Sequence, residues 1–204
     1  MSEKPTLQLS GPKRSSLDPL NGSILLTTLL LLFSLPAFSQ ESGLYKKIGI
    51  QSVKNNLKAP DFCLEGLNGK KVQLHGLKGN IILLNFWATW CGPCKEEMPS
   101  MEALYQQYKQ RNFIVLTVSV DDGNPEPTRK FIQKNDYHFP VLFDPAGKTL
   151  DLFGIDRIPA TLLIDKKGRI LGRAIGPRDW SKPDVFSFID QLLGDRPIRA
   201  VSVK

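Results

Sequence analysis

Short apolar runs alternate with segments of helical periodicity along most of the chain. Residues 81–86 are apolar except for Asn85 and have the length of a buried strand. Between residues 93 and 110, apolar side chains recur every three or four positions, which is the spacing of one helix face. Similar patterns predict strands at 113–120, 141–143, 160–164 and 169–175, helices at 127–134 and 183–193, and a helical turn at 149–153. This alternation predicts an α/β domain whose helices cover both faces of a sheet.

A β-hairpin is predicted at the start of this domain. Residues 62–64 and 72–74 have strand character and lie on either side of Leu-Asn-Gly-Lys at 67–70, which is typical of a turn. We place a single domain at 57–195, because about 140 residues are enough for one hydrophobic core. Residues 196–204 show no periodicity and are predicted to be a C-terminal tail.

Residues 1–39 have the pattern of an export signal. Lys13 and Arg14 precede an apolar run at 24–35, and small residues follow at 36–39. As a helix this run would be about 18 Å long, against about 30 Å for the hydrocarbon core of a bilayer. We therefore predict a cleavable signal peptide, with an uncleaved membrane anchor as the alternative. Both place the domain outside the cytoplasm, in the periplasm or its equivalent.

Charge excludes one class of partner. The chain has 27 basic and 20 acidic residues and a net charge of +7. Because the basic residues are scattered rather than clustered, they favour solubility and contact with an anionic membrane surface, and no nucleic-acid partner is predicted. The polar stretch 40–56 is predicted to be a linker that precedes the domain.

Two cysteines lie at the junction between the strand predicted at 81–86 and the helix predicted at 93–110. Cys91 and Cys94 are separated by Gly-Pro and preceded by Trp90. A Cys-x-x-Cys pair at a helix N-terminus is typical of a reversible, redox-active disulfide. Cys91 is expected to face solvent, where free backbone N–H groups and the positive end of the helix dipole favour its thiolate. Cys94, one turn further on, is expected to be shielded and to react second.

A Cys-x-x-Cys pair is also half of a zinc site, which needs four ligands. The other candidate ligands are Cys63, His75 and His138, which are isolated and lack ligand spacing, so we predict no metal site and no cofactor. Cys63 lies between Phe62 and Leu64 and is predicted to be a small buried strand residue. The two histidines are predicted to lie in a Gly-rich turn and at the start of a short strand.

The sequence around the cysteines resembles a known family. Residues 85–99, Asn-Phe-Trp-Ala-Thr-Trp-Cys-Gly-Pro-Cys-Lys-Glu-Glu-Met-Pro, are similar to the active site of the TlpA/ResA-like thiol:disulfide reductases, an extracytoplasmic branch of the thioredoxin superfamily. Residues 59–62, Ala-Pro-Asp-Phe, and residues 154–161, Gly-Ile-Asp-Arg-Ile-Pro-Ala-Thr, agree in the same order. The resemblance covers residues 57–193. It implies a thioredoxin-like fold with a central mixed sheet, an N-terminal β-hairpin and an inserted helix and strand before a cis-proline loop.

The resemblance also implies the residues that bind the substrate. Pro159 would be the cis-proline of the family, although only about 5–6% of X-Pro bonds in folded proteins are cis. Its loop would lie beside the cysteines and offer backbone groups to an extended substrate. Ile158 would touch Cys91 and the substrate, and Trp90 would take part in substrate binding.

One departure from cytoplasmic thioredoxin points to Glu97. Thioredoxin has a buried aspartate where this chain has Asn85, which does not exchange protons near neutral pH. Glu97 is three residues beyond Cys94, so helical spacing could direct it towards the thiol pair. In the ResA-like branch a glutamate at this position tunes the cysteines, and burial would raise its pKa. We assign it a catalytic acid/base role, whereas Glu96 is expected only to be favoured by the helix dipole.

The predicted reaction is thiol-disulfide exchange. Cys91 would attack a disulfide of a protein substrate and Cys94 would resolve the mixed disulfide. The resemblance implies a membrane thiol transporter as reductant, with apocytochrome c or a copper chaperone as possible substrates in cytochrome c maturation or copper-site assembly. We expect a monomer.

Two alternatives remain open from the sequence, a thiol oxidase or isomerase and a Cu(I)-binding module, whereas a thiol peroxidase is disfavoured. A thiol oxidase or isomerase would share the fold. The Gly92-Pro93 dipeptide is that of thioredoxin, whose reduction potential of about −270 mV is that of a reductant, against about −120 mV for the oxidant DsbA. A thiol peroxidase would need Pro and Thr where the chain has Leu84 and Ala88. A non-enzymatic module could bind Cu(I) through the two cysteines of the motif.

Overall fold

The computed structural model describes residue 43 and residues 45–194. The predicted signal or anchor at 1–39 and the predicted tail at 196–204 lie outside the described residues, as does the start of the predicted linker. No helix within the described part of the chain is both long enough and apolar enough to cross a membrane.

Strands and helices alternate after an N-terminal hairpin. The strands are β1 (Gln51–Ser52), β2 (Cys63–Gly66), β3 (Lys71–Gln73), β4 (Ile81–Trp87), β5 (Phe113–Ser119), β6 (Val141–Phe143), β7 (Ala160–Ile164) and β8 (Ile170–Ile175). The α-helices are α1 (Gly92–Tyr108), α2 (Glu126–Lys134), α3 (Lys148–Leu152) and α4 (Pro183–Leu193), and a 3-10 helix spans Leu74–Leu77. The predicted bounds of β6, β7 and α4 are those observed, and most other elements differ by one or two residues at an end.

The eight strands form one mixed sheet in the order β1-β8-β7-β4-β5-β6-β2-β3. Strand β5 runs parallel to both β4 and β6, and the other neighbouring pairs are antiparallel. The predicted N-terminal hairpin is confirmed as β2 and β3, and the predicted inserted helix and strand are α2 and β6. The fold is thioredoxin-like, as the resemblance implies.

Strand β4 lies at the centre of the sheet and is covered on both faces. All seven of its residues are buried. Successive strand residues point to opposite faces, and here Asn85 bonds to a side chain of α1 whereas Phe86 packs against Phe153 at the end of α3, with ring centroids 5.7 Å apart. A strand buried on both sides explains the continuous apolar run in the sequence.

One strand of the sheet lies before residue 57. Strand β1 lies within the stretch predicted to be a linker, and Gln51 pairs with Arg173 of β8. A side chain at Gly172 would collide with Ile50, so the glycine permits this close approach. The stretch predicted to be a linker therefore includes an edge strand, whose polar exposed residues carry no periodic signal.

Cys63 is exposed, so the prediction that it is buried is wrong. It lies at the start of β2, between buried Phe62 and half-buried Leu64. Because side chains of a strand alternate between its two faces, two inward neighbours leave Cys63 on the solvent side. The two histidines are also exposed: His75 lies in the 3-10 helix and His138 precedes β6.

Candidate active site

The two cysteines of the motif form a disulfide at the N-terminus of α1. Their Cα atoms are 5.2 Å apart. Cys91 is the N-cap residue, and the Cys94 N–H donates to its Sγ at 3.2 Å. This places Cys91 where the helix dipole and a backbone donor stabilise a thiolate. Cys91 is 6% exposed and Cys94 is 0% exposed, so Cys91 is the more accessible of the two, as expected. Cys91 is nevertheless nearly buried, and the expectation that it faces solvent is wrong.

The loop between β4 and the disulfide is held by Asp121, which sequence reasoning missed. Its Oδ1 accepts hydrogen bonds of 2.8 Å from both the N–H and the hydroxyl of Thr89. Its Oδ2 accepts from the hydroxyls of Ser119 at 2.7 Å and Thr128 at 2.8 Å. Four donors satisfy this buried carboxylate without a cation. Its place directly after the apolar run of β5 is the sequence signal that could have identified it.

Glu97 is buried on the helix face directed at the sheet. It is 2% exposed. Its Oε1 accepts a hydrogen bond of 2.8 Å from the Asn85 side-chain amide. Its Oε2 accepts from the Arg178 N–H at 3.2 Å and from the Trp180 indole N–H at 3.3 Å. The last two partners are more than 80 residues away in the chain and were not predicted.

Burial changes the acid strength of Glu97. The pKa of its carboxyl is raised from 4.5 to about 7, because desolvation penalises the charged form more than the hydrogen-bond donors and the Arg178 charge stabilise it. The direction and the cause agree with the sequence prediction. A carboxyl with a pKa near neutrality can both give up and accept a proton under ordinary conditions.

Asn85 is suited to both protonation states of Glu97. Its amide nitrogen donates to Glu97 and, at 3.0 Å, to the hydroxyl of Thr161. Its Oδ1 is buried and has no hydrogen-bond partner among the described residues. Rotation of the amide would exchange the two atoms, so that Oδ1 could accept a hydrogen bond from a protonated Glu97.

Trp90 and Ile158, which the resemblance implies as substrate-binding residues, line one cleft. Trp90 is 67% exposed, which is unusual for so large an apolar side chain. The Ile158–Pro159 peptide bond is cis, as predicted. The cleft has a volume of about 490 Å³, and its apolar lining also includes Val120, Leu150 and Ile155, which sequence reasoning did not identify.

The remaining candidate ligands from the sequence are Cys63, His75 and His138. No group of three or more His, Cys, Asp or Glu side chains in the described part of the chain is placed to hold an ion. His75 Nδ1 lies 3.4 Å from Asp61 Oδ2, and His138 Nδ1 lies 3.2 Å from Glu102 Oε1. Each histidine therefore has a nearby carboxylate at the protein surface.

Comparison with known proteins finds relatives of this chain. Residues 56–172 match the AhpC/TSA family. Thiol-disulfide oxidoreductase ResA of Bacillus cereus is 34% identical over 143 residues, which are 70% of this chain and 81% of that protein. Thioredoxin-like protein YneN of Bacillus subtilis is 38% identical over 132 residues, which are 64% of this chain and 75% of that protein.

Solved structures show the same fold. A proposed thiol:disulfide interchange protein DsbE from Chlorobium tepidum is 36% identical, with a TM-score of 0.63, and the match covers 70% of this chain and all (100%) of that one. StoA from Bacillus subtilis is 27% identical, with a TM-score of 0.56 over 63% of this chain and 97% of that one. These similarities confirm the resemblance that the residues around the cysteines indicate.

Proposed function

The chain belongs to the AhpC/TSA family as a thioredoxin-like thiol-disulfide oxidoreductase of the ResA type, and we propose that it reduces disulfides of proteins outside the cytoplasm. The observation that carries this proposal is the pairing of the Cys91–Cys94 disulfide at the start of α1 with a buried Glu97 one turn beyond it. This arrangement provides a nucleophile, a resolving thiol and an acid/base group within two turns of one helix.

The first step is attack by Cys91. In the reduced protein, its thiolate at the N-cap attacks one sulfur of the substrate disulfide and forms a mixed disulfide, while the second substrate sulfur leaves as a thiolate. Cys91 performs this step because it is the more accessible of the two cysteines, at 6% against 0% exposure. Its backbone neighbours at the helix start stabilise the negative charge before the attack.

The second step is resolution by Cys94. Its thiol loses a proton and attacks the Cys91 sulfur of the mixed disulfide. This attack releases the substrate with both of its own cysteines reduced and forms the Cys91–Cys94 disulfide of the enzyme. Because Cys94 is fully buried, its proton needs a protein acceptor. Glu97 is three residues further along the helix and has a pKa of about 7, so we assign it this role.

The cleft beside the disulfide is the proposed contact with the substrate. Trp90 and Ile158 would hold an extended segment of the substrate against the Pro159 loop. The apolar lining of the cleft suits a side chain next to the substrate cysteine. The lining also contains three charged residues, Asp122, Asp156 and Arg157.

The direction of the reaction and its setting complete the proposal. The Gly92-Pro93 dipeptide of thioredoxin favours a reductant. A reductase outside the cytoplasm needs two electrons for each turnover, and a dithiol of a membrane thiol transporter would supply them by reducing the Cys91–Cys94 disulfide. The predicted export signal and the similarity to ResA and DsbE support this location and make apocytochrome c or a copper chaperone the candidate substrates.

Trapping of the mixed disulfide tests the proposal. Cys94→Ser cannot resolve the intermediate, so the full-length variant, expressed in its own host, should carry proteins linked to Cys91 that are released by reduction and identified by mass spectrometry. Cys91→Ser is the matched control and should carry none; both variants also carry Cys63→Ser, because Cys63 is exposed. An apocytochrome c would indicate cytochrome maturation, and a copper chaperone would indicate copper-site assembly.

Two results would contradict the proposal. Many unrelated partners would indicate general oxidase or isomerase work. The absence of any adduct from a folded, exported Cys94→Ser protein would remove the reductase mechanism and favour Cu(I) binding by the cysteine pair.

A further inference from the structure

The loop that follows β8 contacts the side chain of Glu97 from the side opposite Asn85. Within this loop, the backbone N–H of Arg178 and the indole N–H of Trp180 both donate to the same oxygen, Glu97 Oε2, at 3.2 and 3.3 Å. The other oxygen is taken by Asn85. The carboxylate is therefore held from two sides, by the strand β4 and by this loop.

Ser100 joins the loop to the helix that carries Glu97. Its hydroxyl donates to the Glu97 carbonyl at 2.7 Å and accepts from the Trp180 N–H at 3.0 Å. Trp180 is thus bonded to α1 twice, once through its backbone and once through its side chain. Because it is only 1% exposed, its indole has little freedom to turn away from Glu97.

The charged groups around Glu97 are few. Arg178 places its guanidinium 5.7 Å from the centre of the Trp180 ring, and its charge favours the carboxylate form of Glu97. Glu96 and Asp179 line the cleft of about 600 Å³ that Glu97 also lines. The partners from the sheet, Asn85 and through it Thr161, are neutral.

We propose that Trp180 is a positioning residue for the thiol-disulfide reaction. Its indole N–H and its backbone hydrogen bond to Ser100 hold the Glu97 carboxylate in place. Trp180 thereby sets the pH at which Glu97 exchanges its proton. This inference rests on the acid/base role of Glu97 in the proposed function. It assigns part of the active site to a residue 86 positions beyond Cys94. The link from Trp180 to the cysteines runs through Glu97, so its effect on them is indirect.

The sign of the effect follows from the hydrogen bond. An N–H that donates to a carboxylate stabilises the charged form and lowers its pKa. Removal of the indole N–H should therefore raise the pH at which Glu97 loses its proton. Trp180→Phe removes this donor and keeps an aromatic ring in the core. Ser100→Ala leaves the indole in place and loosens only the loop, so its effect should be in the same direction and smaller.

The test is the titration of Glu97 itself. The full-length, oxidised protein is labelled with carbon-13 at the glutamate carboxyls, and the Glu97 signal is identified by its loss in Glu97→Gln. In Trp180→Phe the Glu97 midpoint should rise by about one pH unit. Trp87→Phe is the matched control, because Trp87 is also fully buried but its indole nitrogen has no hydrogen-bond partner among the described residues. Its midpoint should equal that of the wild type.

The outcomes separate this inference from the proposed function. An unchanged Glu97 midpoint in a folded Trp180→Phe protein, or an equal rise in Trp87→Phe, would overturn the role of Trp180. If Trp180→Phe does not fold, an unchanged midpoint in Ser100→Ala has the same meaning. A raised midpoint supports the inference even if no partner is trapped by Cys94→Ser, since that failure would count against the reductase alone.

Discussion

The substitution Glu97→Gln should change how the stability of the oxidised protein depends on pH. In the folded protein the pKa of Glu97 is about 7, against an ordinary value of 4.5. The folded state therefore binds this proton more tightly than the unfolded state does. Below about pH 4.5 the group does not oppose folding, and stability is lost progressively as the pH rises from about 4.5 to about 7, because a buried carboxyl must either keep its proton or become charged.

The magnitude follows from the two pKa values. At about 1.4 kcal/mol for each pH unit between them, Glu97 should lower the free energy of unfolding by about 3 kcal/mol between about pH 4.5 and pH 8. The glutamine side chain of the variant would not titrate. Its oxygen can accept from the loop donors, and its amide nitrogen can donate to the unpartnered Oδ1 of Asn85 after the Asn85 amide rotates. We therefore expect Glu97→Gln to be accommodated and to become progressively more stable than the wild type as the pH rises.

Urea unfolding of the oxidised proteins at several pH values measures this difference. The cysteines of the disulfide do not titrate, and all other titratable groups are common to both proteins, so their contributions cancel. Glu96→Gln, at the exposed neighbouring position, is the control and should leave the wild-type profile unchanged. A stability difference between Glu97→Gln and wild type that stays constant from about pH 5 to pH 8 would refute the reasoning.

Two further predictions concern the cysteines and the substrate surface. The first uses the reduced protein carrying Cys63→Ser, because Cys63 is exposed and would itself be labelled. Limited alkylation with iodoacetamide, followed by peptide mapping, should show Cys91 labelled well before Cys94. Faster labelling of Cys94 would reverse their roles. In the second, Trp90→Ala should raise KM for a protein disulfide several-fold with a smaller change in kcat. Leu57→Ala, at another large exposed apolar residue, is the control and should leave KM and kcat unchanged. If both variants change KM equally, Trp90 does not belong to the substrate surface.

The elements that position the cysteines could be predicted because their signals are local. The apolar run of β4 and the three- and four-residue spacing of α1 depend on residues close in sequence. Pro159 directly precedes β7, and Pro183 and Gly194 mark the two ends of α4; the predicted bounds of both elements agree with the structure. The pKa direction of Glu97 was also accessible, because helical spacing directs it inward.

The parts that could not be predicted depend on contacts between distant residues. The donors to Glu97 in the Arg178–Trp180 loop are 81 and 83 positions away. Asp121 reaches Thr89 across 32 positions. Cys63 was misplaced for a different reason: a strand of only four residues does not reveal which of its faces is buried.

Catalysed reduction of a protein disulfide tests the central claim most directly. The full-length chain, kept reduced by dithiothreitol, should accelerate the reduction of insulin, and Cys63→Ser should retain the wild-type rate. Cys91→Ser should reduce insulin no faster than dithiothreitol alone. An undiminished rate in Cys91→Ser, or no acceleration by the wild-type protein, would contradict the assignment of Cys91 and Cys94 as the dithiol that reduces protein disulfides.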